Sequence, residues 1–331
     1  MKFLITGGAG FIGSNLIHHL LSKHNNIHIT NLDKLSIGSN LENLKDLQKE
    51  KRYKFINGDI TNKDLLSKLI NETDFVVNMA AESHVDRSIS DPWPFINSNI
   101  LGAVTLFEIA NKFNKRILHI STDEIYGDIP TGTCTENSGI NPSSPYSSSK
   151  ASADIFGLAY HRTYGLNITI VRCTNNFGPN QFLEKLIPKT IIRASRDLSV
   201  PIYGKGTNIR DWIYTLDFCD AIDKLIIKGK SGEIYNVSAD NELSNIDVVK
   251  MILKIMNKPE SIISFVENRP GHDIRYSLDS SKIKKEFGWK PKYDFKDGLE
   301  KTINWYHDNE WWWKPQATDR ILHSTPWKLK W

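Results

Sequence analysis

The chain has little cysteine and no long apolar run. Its three cysteines, Cys134, Cys173 and Cys219, are odd in number, widely separated and without CxxC spacing. This pattern argues against a disulfide framework and against a zinc site, so we predict no metal. No apolar stretch approaches the ~20 residues of a membrane-spanning helix, and glycines soon interrupt the apolar residues that follow Met1. We therefore expect a cytoplasmic protein with no membrane partner.

An excess of charge of one sign is also lacking. The 42 basic and 38 acidic side chains leave a formal net charge of +4, and no basic stripe with interleaved aromatic residues is present. Nucleic acid is therefore not expected as a partner. With 331 residues, 40% of them hydrophobic and 24% charged, the chain is long enough for one large α/β unit or for two lobes that share a cleft.

Short apolar runs do alternate with stretches of helical periodicity. This order predicts an α/β protein with a Rossmann-type, doubly wound parallel sheet. The predicted strands are residues 2–6, 27–32, 53–56, 75–79, 116–120 and 167–172. The predicted helices are residues 11–22, 63–70, 95–113 and 146–164. We assign residues 1–173 to this first domain.

From about Thr174 the pattern becomes irregular, with Gly-Pro and proline-rich loops. We predict a smaller, interwoven C-terminal lobe over residues 174–315 that binds the substrate. Its short strands are expected at residues 202–203, 233–237 and 262–265, and its helices at residues 216–227, 246–256 and 295–307. Residues 316–331 form an aromatic tail.

The tail and the residues just before it carry unusually many tryptophans. The rings of Trp311, Trp312, Trp313 and Trp327 are too many for a disordered segment, so we expect them to dock on the protein's own surface or on a sister subunit. A membrane-surface role is the alternative. The amphipathic periodicity that such a role needs is missing around Pro315 and Pro326.

A glycine-rich loop lies between the first predicted strand and helix. Gly7, Gly10 and Gly13 allow a tight turn and let the backbone approach a pyrophosphate at the helix N-terminus. Asp33 follows Gly13 by 20 residues, after the second strand, where a carboxylate accepts from ribose hydroxyls. It would repel a 2′-phosphate, so NAD is favoured over NADP, although Lys34 weakens that preference. A merely tight strand-to-helix turn is the alternative.

Two further strand ends are placed to meet the same cofactor. Asp59 and Ile60 follow the third strand and are positioned for the adenine. Met79, Ala80 and Ala81 end the fourth strand and are positioned for the phosphates and ribose. The carboxyl ends of parallel strands line the ligand crevice of such sheets. Small residues at these positions also fit close packing alone.

Tyr146 and Lys150 stand four residues apart at the start of a predicted helix, which places both side chains on one face. A phenol has an ordinary pKa of about 10 and is a poor base near neutrality. The lysine ammonium, with a positive nicotinamide nearby, is expected to lower that pKa. Because this YxxxK motif follows a nucleotide-binding half, we interpret it as a catalytic pair.

Asp123 and Glu124 are adjacent carboxylates just after the strand predicted to end at Ile120. In an open α/β sheet this strand end faces the ligand crevice. Two carboxylates in a partly desolvated cleft do not both ionise easily, so one can serve as acid and the other as base. Such a pair can remove a proton from one carbon and protonate a hydroxyl that leaves the next, which is a dehydration. A solvated loop pair is the alternative.

These motifs resemble the extended short-chain dehydrogenase/reductases, and among them the dTDP-glucose 4,6-dehydratases. The likeness runs from Met1 to about Pro315 and includes residues 80–88, 121–124, 175–179, 184–188, 210–212 and 269–273. Related epimerases and decarboxylases share the glycine loop and YxxxK but differ at Thr122-Asp123-Glu124, and they are the alternative activity. A catalytically silent, NAD-sensing or scaffold protein would be expected to lose the catalytic side chains, all of which are present.

The resemblance implies a role for individual residues. Thr122 would bond the sugar 4-oxygen, with Asp123 as acid and Glu124 as base. Tyr146 would be the alkoxide-forming base, with Lys150 beside it. NAD would be lined by Gly7, Gly10, Phe11, Ile12, Gly13, Asp33, Lys34, Leu35, Ser36, Asp59, Ile60, Met79, Ala80, Ala81, Ser83, Ser98, Tyr146, Lys150 and Asn176. The nucleotide sugar would be held by Ser83, Thr122, Asn175, Lys185, Leu186, Pro201, Ile202, Tyr203, Arg210, Asn241, Asn268, Arg269 and His272.

The resemblance also implies a substrate and an assembly. The substrate would be dTDP-glucose, or UDP-glucose, which differs by a methyl group and a 2′-hydroxyl, and the product would feed deoxysugar synthesis such as that of dTDP-rhamnose. The helices at residues 95–113 and 146–164 would pair across a two-fold axis into a homodimer. Asn268 stands where the family usually has Asp, and Ile37-Gly38 where Tyr-Ala is common. These departures concern nucleotide contacts and not the reacting carbons.

Overall fold

Seven parallel strands form the central sheet of the protein. The computed structural model describes residues 1–331. The strands of the chain are β1 Lys2–Thr6, β2 His28–Asp33, β3 Tyr53–Asn57, β4 Phe75–Asn78, β5 Arg116–Thr122, β6 Ile168–Cys173, β7 Asn175–Phe177, β8 Val200–Tyr203, β9 Ile209–Tyr214, β10 Ile234–Val237, β11 Glu242–Ser244 and β12 Ile263–Val266. The large sheet runs β10-β6-β5-β4-β1-β2-β3, and every neighbouring pair in it is parallel. The predicted Rossmann-type sheet is confirmed.

Helices cover this sheet and build the second lobe. They are α1 Phe11–Lys23, α2 Lys63–Asn71, α3 Val85–Ser90, α4 Trp93–Phe95, α5 Ala103–Lys112, α6 Pro145–Tyr164, α7 Leu186–Ser195, α8 Thr215–Lys228, α9 Asn245–Ile255, α10 Ser281–Phe287, α11 Phe295–Asp308 and α12 Glu310–Trp313. A π-helical segment, Ile96–Gly102, joins α4 to α5, so the helix predicted over residues 95–113 is continuous but not regular. No helix combines the length and the apolar character that crossing a bilayer requires.

Alternate residues of the central strands face two separate hydrophobic layers. Leu4 and Val76 belong to a cluster of 17 buried residues that includes side chains of α2, α5 and α6. Ile5 and Val77 belong to a cluster of 27 buried residues that includes side chains of α1 and α8. Successive strand residues point to opposite faces. Near-continuous apolar runs are therefore what a sheet covered on both faces requires.

The second lobe is interwoven with the first. It contains the sheets β11-β9-β7 and β12-β8 and a core cluster of 16 buried residues. The chain also returns to the large sheet, because α8 packs against α1 and β10 pairs with β6. The large sheet thus continues beyond residue 173, where the sequence-based division between the domains was drawn.

Most of the tryptophans at the C-terminal end dock on the protein's own surface, as predicted. Trp312 and Trp313 are buried, and their indole N–H groups donate to the Asn43 side chain and to the main-chain carbonyl of Tyr306, each at 2.7 Å. Trp327 is also buried. Trp311 is 54% exposed in the single chain, with the Lys45 ammonium 5.5 Å from its ring, so its docking on a sister subunit stays a prediction.

Candidate active site

The loop between β1 and α1 is built so that only glycine fits at its closest contacts. Gly7 has a φ of 71°, and a Cβ there would lie 2.7 Å from the Ala80 Cα. A Cβ on Gly13 would lie 2.4 Å from the carbonyl oxygen of Gly7. Gly10 directly precedes α1, and no side chain caps the first turn of that helix. The backbone N–H groups at this positive helix end are suited to an anionic pyrophosphate.

Asp33 ends β2 beside this loop and is buried. Its carboxylate accepts the backbone N–H of Ala9 at 3.0 Å and of Leu35 at 2.8 Å, and the Ser39 hydroxyl at 3.3 Å. Burial nevertheless raises the pKa of Asp33, because the loss of water disfavours the charged form more than these bonds favour it. The carboxylate therefore ties the glycine loop to the end of β2.

Lys34, the next residue, is held by acidic and polar neighbours. Its ammonium lies 2.5 Å from the Ser98 hydroxyl, 3.6 Å from the Asp59 carboxylate and 3.7 Å from the Glu82 carboxylate. Two carboxylates therefore offset the charge of Lys34. Lys34 therefore weakens the preference of Asp33 for NAD over NADP less than the sequence alone indicates.

One cleft joins the glycine loop to the predicted catalytic side chains. The predicted site residues that line it are Gly7, Gly10, Phe11, Ile12, Gly13, Asp33, Lys34, Ser36, Asp59, Ile60, Met79, Ala80, Ala81, Ser83, Ser98, Thr122, Asp123, Glu124, Tyr146, Lys150, Asn175, Asn176 and Lys185. The predicted site residues outside its lining are Leu35, Leu186, Pro201, Ile202, Tyr203, Arg210, Asn241, Asn268, Arg269 and His272.

Several residues that line the cleft were missed by the sequence reasoning. Gln181, Phe182 and Glu184 line it together with Cys173 and Ser39. Gln181 and Phe182 lie between two runs of the resemblance, residues 175–179 and 184–188, and Glu184 begins the second run. For these three residues, nearness to those runs was the only available signal.

The start of α6 places the tyrosine and the lysine. Ser144 and Ser147 form a capping box, and Pro145 occupies the first turn of the helix. These residues fix where the helix begins. Tyr146 and Lys150 consequently lie one turn apart, and both are buried at the cleft.

The Lys150 ammonium is engaged by the end of a strand. Its Nζ donates to the main-chain carbonyl of Ile120 at 2.6 Å. Burial, and then the negative charge of Glu124, raise the pKa of Tyr146 well above its ordinary value, and a hydrogen bond with Thr122 only partly opposes this. In the protein's own groups desolvation of the phenolate dominates, and the lowering of that pKa by Lys150 together with a positive nicotinamide stays a prediction.

The two adjacent carboxylates follow β5 directly and line the cleft, as predicted for this strand end. The Thr122 hydroxyl organises the turn: it donates to the Asp123 carboxylate at 3.1 Å and accepts the Glu124 N–H at 3.3 Å. Burial, and then the charge of Glu124, raise the pKa of Asp123 well above its usual range. One carboxylate oxygen of Asp123 is buried without a protein partner. Asp123 is therefore suited to carry a proton.

Three of the predicted substrate-binding cations act on Glu124. Burial raises the pKa of Glu124, while the charges of Arg269, Arg210 and Lys185 oppose that rise. The Lys185 ammonium also donates to the main-chain carbonyl of Ser83 at 2.7 Å. The two carboxyl groups therefore differ. The cations near Glu124 favour its ionised form, whereas the pKa of Asp123 is set mainly by burial, which favours its protonated form.

A second cluster of predicted substrate contacts lies beside the cleft, and we call it the Tyr203 cluster. The Tyr203 hydroxyl donates to the Asp86 carboxylate at 2.7 Å, and the Arg269 guanidinium donates to the same carboxylate at 3.0 Å. His272 donates from Nδ1 to the Asn268 side-chain oxygen at 2.6 Å. Burial lowers the pKa of His272 to about 2, so its imidazole is neutral. The residue that departs from the family pattern, Asn268, thus holds this histidine.

Other predicted contacts are directed into the protein. The Asn241 amide donates to the main-chain carbonyl of Trp212 at 3.3 Å. Ile202 packs in a hydrophobic cluster with Val200 and Val249. A contact between a ligand and either residue stays a prediction.

A nucleotide cradle, a Tyr–Lys pair and two adjacent carboxylates share one cleft, and together they define an extended short-chain dehydrogenase/reductase. The family described as GDP-mannose 4,6 dehydratase matches residues 4–302. The chain belongs to this family, and it groups there with the dTDP-glucose 4,6-dehydratases.

Curated relatives match over nearly the full length of the chain. The dTDP-glucose 4,6-dehydratase of Actinoplanes sp. is 43% identical over 319 residues, which cover 95% of this chain and 100% of the relative. The enzyme of the same name from Escherichia coli is 43% identical over 347 residues, covering 95% of this chain and 96% of the relative.

Solved structures show the same likeness. The dTDP-glucose 4,6-dehydratase of Bacillus anthracis in complex with NAD has a TM-score of 0.90 and 44% identity, covering 95% of this chain and 99% of that chain. The Streptomyces venezuelae enzyme with NAD and TYD bound has a TM-score of 0.93 and 42% identity, with the same coverage. A UDP-glucuronic acid 4-epimerase from Bacillus cereus is more distant, with a TM-score of 0.89 and 30% identity over 93% of this chain and 99% of that chain.

Proposed function

We propose that the protein is an NAD-dependent dTDP-glucose 4,6-dehydratase. It converts dTDP-glucose to dTDP-4-keto-6-deoxyglucose by oxidation at C4, loss of water across C5 and C6, and reduction at C6. The observation that carries this proposal is that the buried Asp123 and the half-buried Glu124 lie side by side in the cleft that also holds the glycine loop and Tyr146. An epimerase of the same fold has no water to eliminate and no need for such an acid–base pair.

The residues present fit NAD. A Cβ would fill the cradle at Gly7 and Gly13, and the buried side-chain oxygens of Asn175 and Asn176 have no protein partner. Asp33 would accept from the adenosine ribose hydroxyls of such a cofactor. When bound, NAD accepts a hydride from C4 and returns one to C6, so net redox is zero, and its positive nicotinamide favours the Tyr146 phenolate.

In the first step Tyr146 takes the proton of the 4-hydroxyl while C4 loses hydride, which leaves a ketone at C4. Thr122 lies on the cleft side of the same strand end and donates to the 4-oxygen in this proposal. Lys150 supports the reaction by its charge, since its ammonium is fixed on the Ile120 carbonyl. General acid–base groups of this kind contribute a factor of about 10² to 10⁴ to the rate.

In the second step the two carboxylates divide the work. The 4-ketone acidifies C5, so Glu124 takes the C5 proton and Asp123 gives its proton to the departing 6-hydroxyl. The raised pKa of Asp123 keeps a proton available for this transfer, and the cations around Glu124 favour its basic form. C6 then gains hydride and C5 regains a proton from Glu124, so one water is lost overall.

We also propose a homodimer. Large apolar side chains are exposed on the two helices that the resemblance pairs: Leu101 is 53%, Ile155 54% and Phe156 42% exposed. Burying such a patch across a two-fold axis is favourable. Light scattering should return about twice the chain mass of 37.8 kDa. A Phe156→Glu variant should shift the protein toward the monomer.

Two finer assignments belong to this proposal. The enzyme acts in the cytoplasm, where nucleotide sugars are processed, and its product supplies deoxysugar synthesis, such as that of dTDP-rhamnose.

The direct test is incubation of the purified protein with dTDP-glucose and, separately, with UDP-glucose. The expected result is a 4-keto-6-deoxy product with no net consumption of NAD, formed faster from dTDP-glucose. Formation of a C4 epimer instead would contradict the dehydratase assignment. Faster turnover of UDP-glucose would leave the reaction type in place and change the nucleotide.

A further inference from the structure

The last ten residues run across the second lobe as an anchored segment, and we call residues 322–331 the C-terminal strap. Leu322 is buried in the core of that lobe. From α7, Arg193 donates to the main-chain carbonyl of Leu322 at 2.9 Å, and Lys189 donates to that of His323 at 3.2 Å. The helix that supplies these two donors starts at Leu186, beside the predicted substrate contact Lys185. The strap is therefore fixed to α7, the helix that starts beside the predicted substrate contact Lys185.

The strap then reaches the Tyr203 cluster. Trp327 is buried, and its ring lies edge to face against the Tyr203 ring, with the centroids 4.7 Å apart and the planes at 82°. The Tyr203 hydroxyl is held at its other end by Asp86. Asp86 also accepts from Arg269, one of the cations that act on Glu124. The tyrosine is thus fixed by its ring and by its hydroxyl at the same time.

Two further contacts attach the strap to α3 and to the loop before Asn268. The Ser90 hydroxyl, at the end of α3, donates to the main-chain carbonyl of Leu329. Lys328 forms an ion pair with Glu267, the residue directly before Asn268. The strap therefore contacts all three chain segments that contribute to the Tyr203 cluster: α3, the end of β8 at Tyr203, and the loop that contains Asn268.

The end of the strap extends this link toward the cleft. The Trp331 ring lies 5.8 Å from the Arg87 guanidinium. Arg87 is buried and binds Glu82 at 3.2 Å and Glu184 at 3.1 Å. Glu184 lines the cleft. The strap thus contacts α3, α7, Tyr203 and the loop before Asn268, which carry or adjoin predicted substrate-binding residues, and none of these contacts involves the glycine loop.

We infer that the C-terminal strap preorganises the nucleotide subsite, with Trp327 as the positioning residue that fixes Tyr203 for the nucleotide part of the substrate. This inference rests on the proposed function, since it concerns how that substrate is held. A side chain that is ordered before binding loses less conformational entropy when the ligand arrives. Loosening the strap should therefore weaken nucleotide binding without changing NAD binding or the chemical step.

The test uses the NAD-loaded full-length enzyme and thymidine diphosphate as the probe in calorimetric titrations. Trp327→Ala removes the ring, Trp327→Phe restores part of it, and Ser90→Ala releases the anchor on α3. Trp311→Ala is the matched control, because Trp311 precedes the strap and its ring is 54% exposed. Steady-state kinetics with dTDP-glucose are measured on the same proteins.

Loss of one aromatic pair should raise the Kd of thymidine diphosphate and the KM by about three- to tenfold in Trp327→Ala. The kcat and the NAD content should stay at the wild-type level, Trp327→Phe should recover most of the affinity, and Trp311→Ala should match the wild type. An unchanged Kd in Trp327→Ala overturns the inference. So does a parallel loss of NAD and nucleotide binding, which would mark a merely stabilising role.

If Trp327→Ala does not fold, Ser90→Ala decides, and an unchanged Kd in that variant overturns the inference. Turnover by the wild type separates this proposal from the proposed function. Product formation together with an unchanged Kd in the variants removes the strap's role alone. Absence of both product and thymidine diphosphate binding in the wild type removes both proposals.

Discussion

The Lys150 ammonium donates to the main-chain carbonyl of Ile120, 2.6 Å away, near the carboxyl end of the strand that leads into Asp123 and Glu124. The lysine of the YxxxK motif thus joins the start of α6 to the strand end that carries the acid–base pair. Tyr146, one turn before it, keeps a pKa raised by burial and by Glu124. The phenol therefore holds its proton in the protein alone, and its use as a base depends on added positive charge.

Tyr146→Phe should abolish the first oxidation, because no other side chain is proposed to take the 4-hydroxyl proton. The expected loss is a factor of about 10² to 10⁴ in the rate of reduced-cofactor formation. Single-turnover absorbance of the NAD-loaded protein with dTDP-glucose measures it. Tyr164→Phe is the matched control, since Tyr164 ends the same helix and is 61% exposed. Wild-type oxidation in the Tyr146 variant would contradict this role.

Asp123→Asn should leave the first oxidation in place and slow the elimination. The amide cannot give a proton to the departing 6-hydroxyl, so a loss of about 10² to 10⁴ is expected in that step. A single turnover should therefore accumulate reduced cofactor together with the 4-keto-glucose intermediate. Wild-type rates of product formation would show that the carboxylate pair is not used.

Glu124→Gln should also block elimination, but with a different signature. The amide cannot accept the C5 proton, so exchange of that proton with deuterated water should be suppressed. In Asp123→Asn the exchange should persist, because Glu124 is still present. Mass spectrometry of the recovered nucleotide sugar distinguishes the two variants, and equal exchange in both would contradict the division between acid and base.

Six of the seven strands of the large sheet could be assigned to it from the sequence, because most of them are short apolar runs between glycine-rich or polar turns, whereas β10 was assigned to the second lobe. Predicted and observed bounds there differ by no more than two residues at either end. The second lobe was harder. Strand β7, Asn175–Phe177, has three residues and no alternation, and it exists because β9 pairs with it. Helix α7 contains Pro188 and several β-branched residues, which weaken its helical signal.

The candidate site likewise contains residues that the sequence could place and contacts that it could not predict. Residues at strand ends and in the glycine loop, such as Asp33 and Glu124, could be placed because parallel strands direct their carboxyl ends to one crevice. The direction of the Lys150 ammonium depends on packing between α6 and β5. The engagement of Tyr203 by Trp327 joins residues 124 positions apart, and no local pattern encodes such a contact.

The wild-type protein should bind NAD much more tightly than NADP, and Asp33→Asn should narrow that difference. A 2′-phosphate would lie against the Asp33 carboxylate, whose neutral replacement removes the repulsion. NAD affinity should also fall, because the amide cannot accept both the Ala9 and the Leu35 N–H groups as the carboxylate does. Calorimetric titration of both cofactors measures the ratio. Equal binding of NADP by the wild type would contradict the assignment.

The elimination step should have a bell-shaped pH dependence with assignable limbs. Asp123 must be protonated, and its pKa is raised, so the rate should fall as the pH rises through that pKa. Glu124 must be ionised, so the rate should fall as the pH drops through its own pKa, which is raised by burial and held down by nearby cations. Asp123→Asn should remove the alkaline limb from the residual activity, and Glu124→Gln the acid limb.

Replacement of an arginine near Glu124 should move the acid limb, although the arginine itself does not titrate in this pH range. Arg269 is the leading cation opposing the rise in the pKa of Glu124. Arg269→Gln should therefore shift the acid limb to higher pH in single-turnover rates at saturating dTDP-glucose. Arg275→Gln is the matched control, because the Arg275 guanidinium pairs with Glu242 at 2.7 Å and does not oppose that rise. An acid limb that stays in place in Arg269→Gln would mean that Glu124 is not the base whose ionisation limits elimination.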